Sequence, residues 1–144
     1  WCYQVIASRI APKTYQGHIQ RAGYGQLVEP FDQTNFWLDG SLKISALEQI
    51  KFLSKLVNRS LPYKPASYDT LRDIMIVEKT DAYTIRAKTG WATSSTPQTG
   101  WYVGYVEAKS ATWLFALNID IADKSLLPMR QQITMQSLKK KQII

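Results

Sequence analysis

The sequence changes from helical to strand patterning after Thr80-Asp81, and this change limits the folds that the chain can adopt. Beyond this point, runs of β-branched and aromatic residues predict three strands, at 83–89, 101–107 and 112–120. The connections between these strands are short and rich in turn residues, which favours an antiparallel meander. The second half of the chain is therefore expected to supply most of a sheet.

Helical patterns precede and follow these strands. They predict helices at 1–10, 13–22, from Ser45 to a break at Asn58, at 66–77, and at 126–142. Ser45 and Glu48 have the spacing of a capping box, in which each side chain bonds a free backbone N–H, and Gly23 suits a left-handed helix end. Residues expected to pack inward are Leu47, Ile50, Phe52, Leu53, Leu56, Val57, Leu71, Ile74, Met75, Val77, Trp1, Trp101, Trp113 and Cys2.

The segment 24–43 has no periodicity and is rich in Gly, Pro, Asp and Asn. A loop of about twenty residues is uncommon in a compact domain, and loops of this length are usually functional. The chain shows no internal repeat and no linker. Residues 1–144 are therefore expected to form one α+β unit, in which helices flank an antiparallel sheet.

Composition excludes several kinds of site. One cysteine, Cys2, allows no disulfide within the chain, no CxxC redox pair and no cysteine zinc site, and one histidine, His18, allows no histidine-rich metal site. His18 lies in a short polar helix and is expected at the surface. The net charge of +7 raises nucleic acid as a partner, but Lys139–Lys141 lie at a helix C-terminus, where cations are favourable without any such partner. No apolar run approaches the length of a membrane span.

One tripeptide at a strand end carries recognisable chemistry. Lys88-Thr89-Gly90 ends the strand predicted at 83–89 and is followed by Trp91. Lysine supplies a positive charge, threonine a hydroxyl donor, and glycine close access of a ligand to the backbone. An amide-like substrate could pair along such a strand edge. The same tripeptide occurs in serine enzymes that recognise penicillin.

The whole chain resembles class D (oxacillinase-type) serine β-lactamases. The order and spacing of the following segments carry the resemblance: 24–26, 36–45, 87–91, 100–107, 115–120 and 127–130. It implies the fold of β-lactamases and penicillin-binding proteins, with an antiparallel sheet flanked by helices. It also implies hydrolysis of β-lactams through a serine acyl-enzyme.

The resemblance assigns expected roles to individual residues. Lys88 would supply positive potential, and Thr89 with Gly90 would line the site that receives the β-lactam carboxylate. Arg130 would bind that same carboxylate with its planar fork of donors. The backbone N–H of Trp91 would form one half of the oxyanion hole. The indole N–H of Trp37 would donate to a carboxylated lysine, and Tyr24 would act as a scaffold of the pocket.

The sequence departs from the family pattern in two ways. Gln26 stands where the family has an asparagine, so Gln26 is not assigned to the site. The family's Ser-x-x-Lys and Ser-x-Val motifs are absent: Ser137 to Lys140 fits the first formally, but it follows every other motif on a basic helix. The chain is therefore expected to be the C-terminal portion of a β-lactamase domain and inactive alone. The nucleophile and the carboxylated lysine would lie upstream.

Other functions remain open at this stage. A β-lactam sensor domain of a signalling receptor shares these motifs but retains its acyl-enzyme. A penicillin-binding peptidase shares Lys-Thr-Gly but not the patterns at 36–38 and 127–130, and a basic nucleic-acid module is disfavoured. The resemblance implies two partners, namely β-lactams and the N-terminal portion of the same domain, and it leaves a homodimer open. It implies no cofactor beyond the carbon dioxide that carboxylates the upstream lysine. It also implies a periplasmic or secreted location.

Overall fold

A computed structural model describes residues 2–94 and 96–144. The helices are α1 (Cys2–Ala7), α2 (Pro12–Ala22), α3 (Ala46–Val57), α4 (Pro65–Ile74) and α5 (Met129–Lys140). The strands are β1 (Gln26–Leu27), β2 (Leu42–Lys43), β3 (Ile76–Lys79), β4 (Tyr83–Ala92), β5 (Gln98–Ala108) and β6 (Thr112–Ile121), and a 3-10 turn spans Lys124–Leu126. Within the described residues, no helix is long and apolar enough to cross a membrane.

The main sheet has four antiparallel strands in the order β3-β4-β5-β6. Its long register places Lys88 opposite Val103, Gly90 opposite Trp101, and Trp101 opposite Asn118. The predicted meander and the α+β class are therefore confirmed. β1 and β2 form a separate two-stranded pair inside the segment 24–43, which was predicted to be irregular.

Helices cover both faces of this sheet. On one face, Ile85 and Val106 pack with Leu138 of α5. On the other, Val103 and Leu114 pack against a buried cluster of Ala22, Leu53, Leu56, Leu61 and Tyr68. The two apolar layers fix the orientation of β4, which carries Lys88, Thr89, Gly90 and Trp91.

Helix ends follow the sequence signals. Ser45 caps α3, its hydroxyl accepts from the Glu48 N–H at 3.2 Å, and a Glu48 carboxylate oxygen accepts from the Ser45 N–H at 2.8 Å. Gly23 ends α2 with φ of 63°. Both predictions are confirmed, because each depends on local backbone geometry that a few residues specify.

Several burial predictions are wrong. On α3, Leu53 and Leu56 are buried with Gln49, whereas Leu47 in the first turn is 75% exposed. Trp113 is 48% exposed on the edge strand β6. The apolar pattern predicted both residues to face inward, but neither is a core residue.

The first helix is also more exposed than predicted. Helix α1 ends at Ala7, and Cys2, Tyr3, Val5 and Ile6 are all exposed. Ala7 is its one buried residue. The prediction that Cys2 is a core residue is therefore wrong. The prediction for Trp1 lies outside the described residues.

The helix predicted at 66–77 ends earlier than expected. The carbonyl of Met75 accepts from the Ala87 N–H at 2.9 Å, and the chain then continues as β3 along β4. Ile74 and Val77 are 73% and 51% exposed, so the prediction that they face the core is wrong. The β-branched pair Ile76-Val77 suits a strand, and the available edge of β4 decides in its favour.

An ionic cluster around the buried Arg86 joins α4 to the sheet. Arg86 is 6% exposed, and its Nε donates to Glu107 at 2.8 Å. Nε and Nη2 of Arg72 donate to the other oxygen of Glu107 at 3.1 and 2.9 Å. Burial alone would raise the pKa of Glu107, but the bonds from Arg86 and Arg72 outweigh it and lower that pKa from 4.5.

Glu107→Gln is expected to destabilise the fold more at neutral pH than in acid. The lowered pKa means that folding favours the ionised carboxylate, so its contribution is present above about pH 4.5 and is lost as the pH falls through the folded-state pKa. Urea unfolding of wild type and variant at pH 7 and pH 3 measures this difference. Asp69→Asn, which breaks an exposed pair with Arg59, is the control and should change stability little at either pH. A Glu107→Gln effect of equal size at both pH values would contradict the prediction.

Candidate active site

A cleft of about 480 Å³ lies between the ends of β4 and β5 and the segment 24–44. Its lining includes six of the predicted site residues: Tyr24, Trp37, Lys88, Thr89, Gly90 and Trp91. Arg130 lies directly beside it, with its Nη1 donating to the carbonyl of Gly90. Residues far apart in the sequence thus meet at one place.

Strand β4 presents Lys88, Thr89 and Gly90 along a partly open edge. β3 pairs with β4 at Thr84, Ile85 and Arg86, and the Ala87 N–H donates to the Met75 carbonyl. From Lys88 to Ala92, β4 is therefore paired on its β5 side alone among the described residues. An amide-like ligand could pair along this edge, as the sequence predicts.

The charge of the cleft is positive. Lys88 and Lys43 line it, Arg130 lies beside it, and none of its described lining residues is acidic. Lys88 is exposed, and its ammonium donates to the Thr89 carbonyl at 2.7 Å. Such an arrangement favours a ligand with a carboxylate.

Arg130 is held in place by backbone carbonyls. Its Nε donates to Leu127 at 2.8 Å, while its Nη1 bonds Gly90. Burial lowers the pKa of Arg130, which remains fully cationic because guanidinium ionises far above neutral pH. A Cβ at Gly100 would lie 2.8 Å from Cδ of Arg130, so the absence of a side chain there makes room for the arginine.

The two tryptophans occupy different surroundings. The indole N–H of Trp91 donates to Gln98 at 2.9 Å and joins β4 to β5 beside their connecting turn. Trp37 packs edge-to-face on the buried Phe36, with ring centroids 5.0 Å apart. The Trp37 indole N–H has no hydrogen-bond partner within residues 2–94 and 96–144, so it is available to a group entering the cleft.

Tyr24 is supported by Gln49, a residue that was not predicted from the sequence. Gln49 of α3 is 6% exposed, lines the cleft, and donates to the Tyr24 hydroxyl at 2.8 Å. Burial raises the pKa of Tyr24, and the bond from Gln49 offsets this only in part. The phenol is therefore neutral at physiological pH, as a scaffold residue requires. The sequence held one signal for Gln49: it is a polar residue on the helix face that also carries Leu53 and Leu56.

The position of Tyr24 also depends on the following glycine. Gly25 has φ of 66°, and a Cβ there would lie 2.2 Å from the Lys43 carbonyl. Gly25 lies directly before Gln26, which pairs with Lys43. This pairing closes the loop between the two residues. Gln26 itself is exposed and is not among the described residues that line the cleft.

The fold corresponds to that of a known protein family. A family model described as the penicillin binding protein transpeptidase domain matches residues 1–139, and the chain belongs to this family. Within it, the chain is similar to class D β-lactamases, which confirms the resemblance found in the sequence. β-Lactamase OXA-48 from Klebsiella pneumoniae is 38% identical over 142 residues, a match that covers 99% of this chain and 54% of OXA-48.

Solved structures agree with the sequence relatives. The class D β-lactamase YbXI from Nostoc superposes with a TM-score of 0.91 at 42% identity, covering 96% of this chain and 59% of that one. The class D β-lactamase FUS-1 (OXA-85) from Fusobacterium nucleatum subsp. polymorphum gives 0.93 at 36% identity, covering 99% and 59%. The chain thus spans about half the length of the curated relatives that it matches.

Proposed function

We propose that the protein carrying this chain hydrolyses β-lactams through a serine acyl-enzyme. The observation that carries the proposal is the cleft lined by Lys88, Thr89 and Gly90, with Arg130 beside it and no acidic residue among its described lining residues. The similarity to class D β-lactamases supports it. Because the chain lacks a credibly placed Ser-x-x-Lys, the acylated serine and a carboxylated lysine that acts as general base belong to residues preceding Trp1 in this proposal.

In this proposal the residues of the cleft bind and orient the substrate. Thr89 donates its hydroxyl, and Arg130 its guanidinium, to the β-lactam carboxylate, while Lys88 adds positive potential. The backbone N–H of Trp91 donates to the carbonyl oxygen as negative charge develops in the tetrahedral intermediate. The indole N–H of Trp37 donates to the carboxylated lysine, and Tyr24, held by Gln49, shapes the pocket.

A β-lactam sensor domain is the second candidate. It rests on the same carboxylate-binding residues, since recognition and acylation precede the step at which a sensor and a hydrolase differ. The groups that would determine whether the acyl-enzyme is hydrolysed are, in this proposal, the serine and the carboxylated lysine upstream of Trp1. A kinetic measurement therefore separates the two functions.

A chromogenic cephalosporin is expected to be turned over continuously by a protein that joins this chain to an upstream segment carrying Ser-x-x-Lys. The 144-residue chain alone is expected to give no catalysis, because it lacks the nucleophile. A stoichiometric burst that then stops would favour the sensor. Catalytic hydrolysis by the 144-residue chain itself would contradict the placement of the nucleophile upstream.

A further inference from the structure

A second cleft lies farther along β5, where α3 and α4 pack over the sheet. It has a volume of about 240 Å³ and shares no lining residue with the first cleft. Tyr105 forms part of its wall, four residues beyond Trp101 on the same strand face, which corresponds to about 13 Å of strand. The proposed β-lactam chemistry does not use this second cleft.

The hydroxyl of Tyr105 is available to a ligand in this cleft. Tyr105 is 5% exposed, lines the cleft, and makes no side-chain hydrogen bond within residues 2–94 and 96–144. Burial raises the pKa of Tyr105, so its hydroxyl keeps its proton and can donate. A protonated hydroxyl at a cavity wall can donate to an acceptor that enters the cavity.

Two arginines in the lining also have unused donors. Arg72 commits Nε and Nη2 to Glu107, which leaves its Nη1 free of partners among the described residues. Arg59 bonds Asp69 through Nη2 and lies over the ring of Tyr68, 5.8 Å from its centroid. The one acidic lining residue, Glu107, has both oxygens occupied, by Arg72 and Arg86. The donors that remain therefore favour an anion.

The rest of the wall is apolar. Leu56 and Val57 of α3 and Leu71 of α4 line the cleft beside the charged groups. An apolar wall with a few convergent polar groups is the usual composition of a small-molecule site, and this volume suits a ligand smaller than a drug. We propose that the second cleft binds a small carboxylate with a hydrophobic body, whose carboxylate accepts from the Tyr105 hydroxyl and Arg72 while the body packs on the leucines.

Cyclohexanecarboxylate is a suitable probe of this proposal. Titration into ¹⁵N-labelled protein is expected to shift the amide resonances of α3, α4 and the part of β5 around Tyr105. Tyr105→Phe keeps the ring and removes only the hydroxyl, so it is expected to weaken binding about tenfold, the effect of one hydrogen bond to a charged group. The neutral cyclohexanecarboxamide is expected to bind more weakly than the acid.

A matched variant separates the two clefts. Arg130→Gln removes a cation from the first cleft, and it should leave the shifts around Tyr105 unchanged. Shifts confined to Lys88–Trp91, equal affinity of wild type and Tyr105→Phe, or equal binding of the amide and the acid would each overturn the proposal. Failure of β-lactam turnover would not affect this result, because the titration measures binding at other residues.

Discussion

Arg130→Gln is expected to lower kcat/KM for a carboxylate-bearing cephalosporin by about thirty- to a hundredfold, a prediction that rests on the proposed β-lactamase activity. Removing one member of a hydrogen-bonded charge pair costs about 2–5 kcal/mol when the pair is buried. Arg130 is only half-buried in the free protein, so the lower part of that range applies. Steady-state kinetics of the catalytically competent protein would measure the loss.

The structure complicates this experiment because Arg130 also bonds the Gly90 carbonyl. A cephalosporin methyl ester provides the control, since it has no carboxylate for the guanidinium to bind. For the ester, wild type and Arg130→Gln should differ by less than about threefold. Arg130→Lys keeps the charge without the fork and should lie between the two for the acid. An equal loss of kcat/KM for the acid and the ester would show that Arg130 acts only by holding the Gly90 carbonyl of β4.

Gly104→Ala is expected to abolish stable folding. A Cβ at this position would lie 2.1 Å from the Arg86 carbonyl oxygen and 2.8 Å from Cα of Ala87. These are backbone atoms of the neighbouring strand β4, which cannot withdraw without breaking the β4–β5 ladder. The expected loss exceeds about 4 kcal/mol, a large part of the total stability of an ordinary domain. Urea unfolding and thermal melting followed by circular dichroism would measure it.

Gly17→Ala is the matched control for this substitution. Gly17 lies inside α2, and its added Cβ would meet only the flexible end of the Arg21 side chain, at 3.3 Å. Alanine is the better helix former, so this variant is expected to equal or exceed wild type in stability by up to about 1 kcal/mol. If Gly104→Ala were as stable as Gly17→Ala, the close approach of β4 and β5 would be contradicted.

The longer elements of the fold could be predicted from the sequence because each carries a regular pattern. β4, β5, β6, α3 and α5 all lie where alternation or helical spacing placed them. The short strands could not be found in this way. β1 and β2 have two residues each, too few for periodicity, and β3 forms because an edge of β4 is available to it.

Burial was harder to predict than secondary structure. An apolar face indicates which side of an element avoids water, but not whether another element covers it. Leu47 and Ile74 lie at opposite ends of their helices, beyond the reach of the core, and Trp113 lies on the strand at the sheet edge. These positions depend on long-range packing, which a single sequence does not specify.

The candidate site could be predicted as a set of residues but not as a geometry. Motifs indicated Lys88, Thr89 and Arg130, and the structure brings these residues to one cleft or beside it. The supporting contacts had no comparable signal: Gln49 resembles a core position of α3, and Gly100 resembles any strand glycine. Their roles come from neighbours far away in the sequence, namely Tyr24 and Arg130.

The space left by Gly100 links two positions that are thirty residues apart. A side chain at residue 100 would displace Arg130, and a displaced Arg130 would release the Gly90 carbonyl beside the backbone of Trp91. Variation at these positions is therefore not independent: a change at residue 100 alters which residues are acceptable at residue 130. A library that randomises either position alone would underestimate the range of functional sequences, so the two should be varied together.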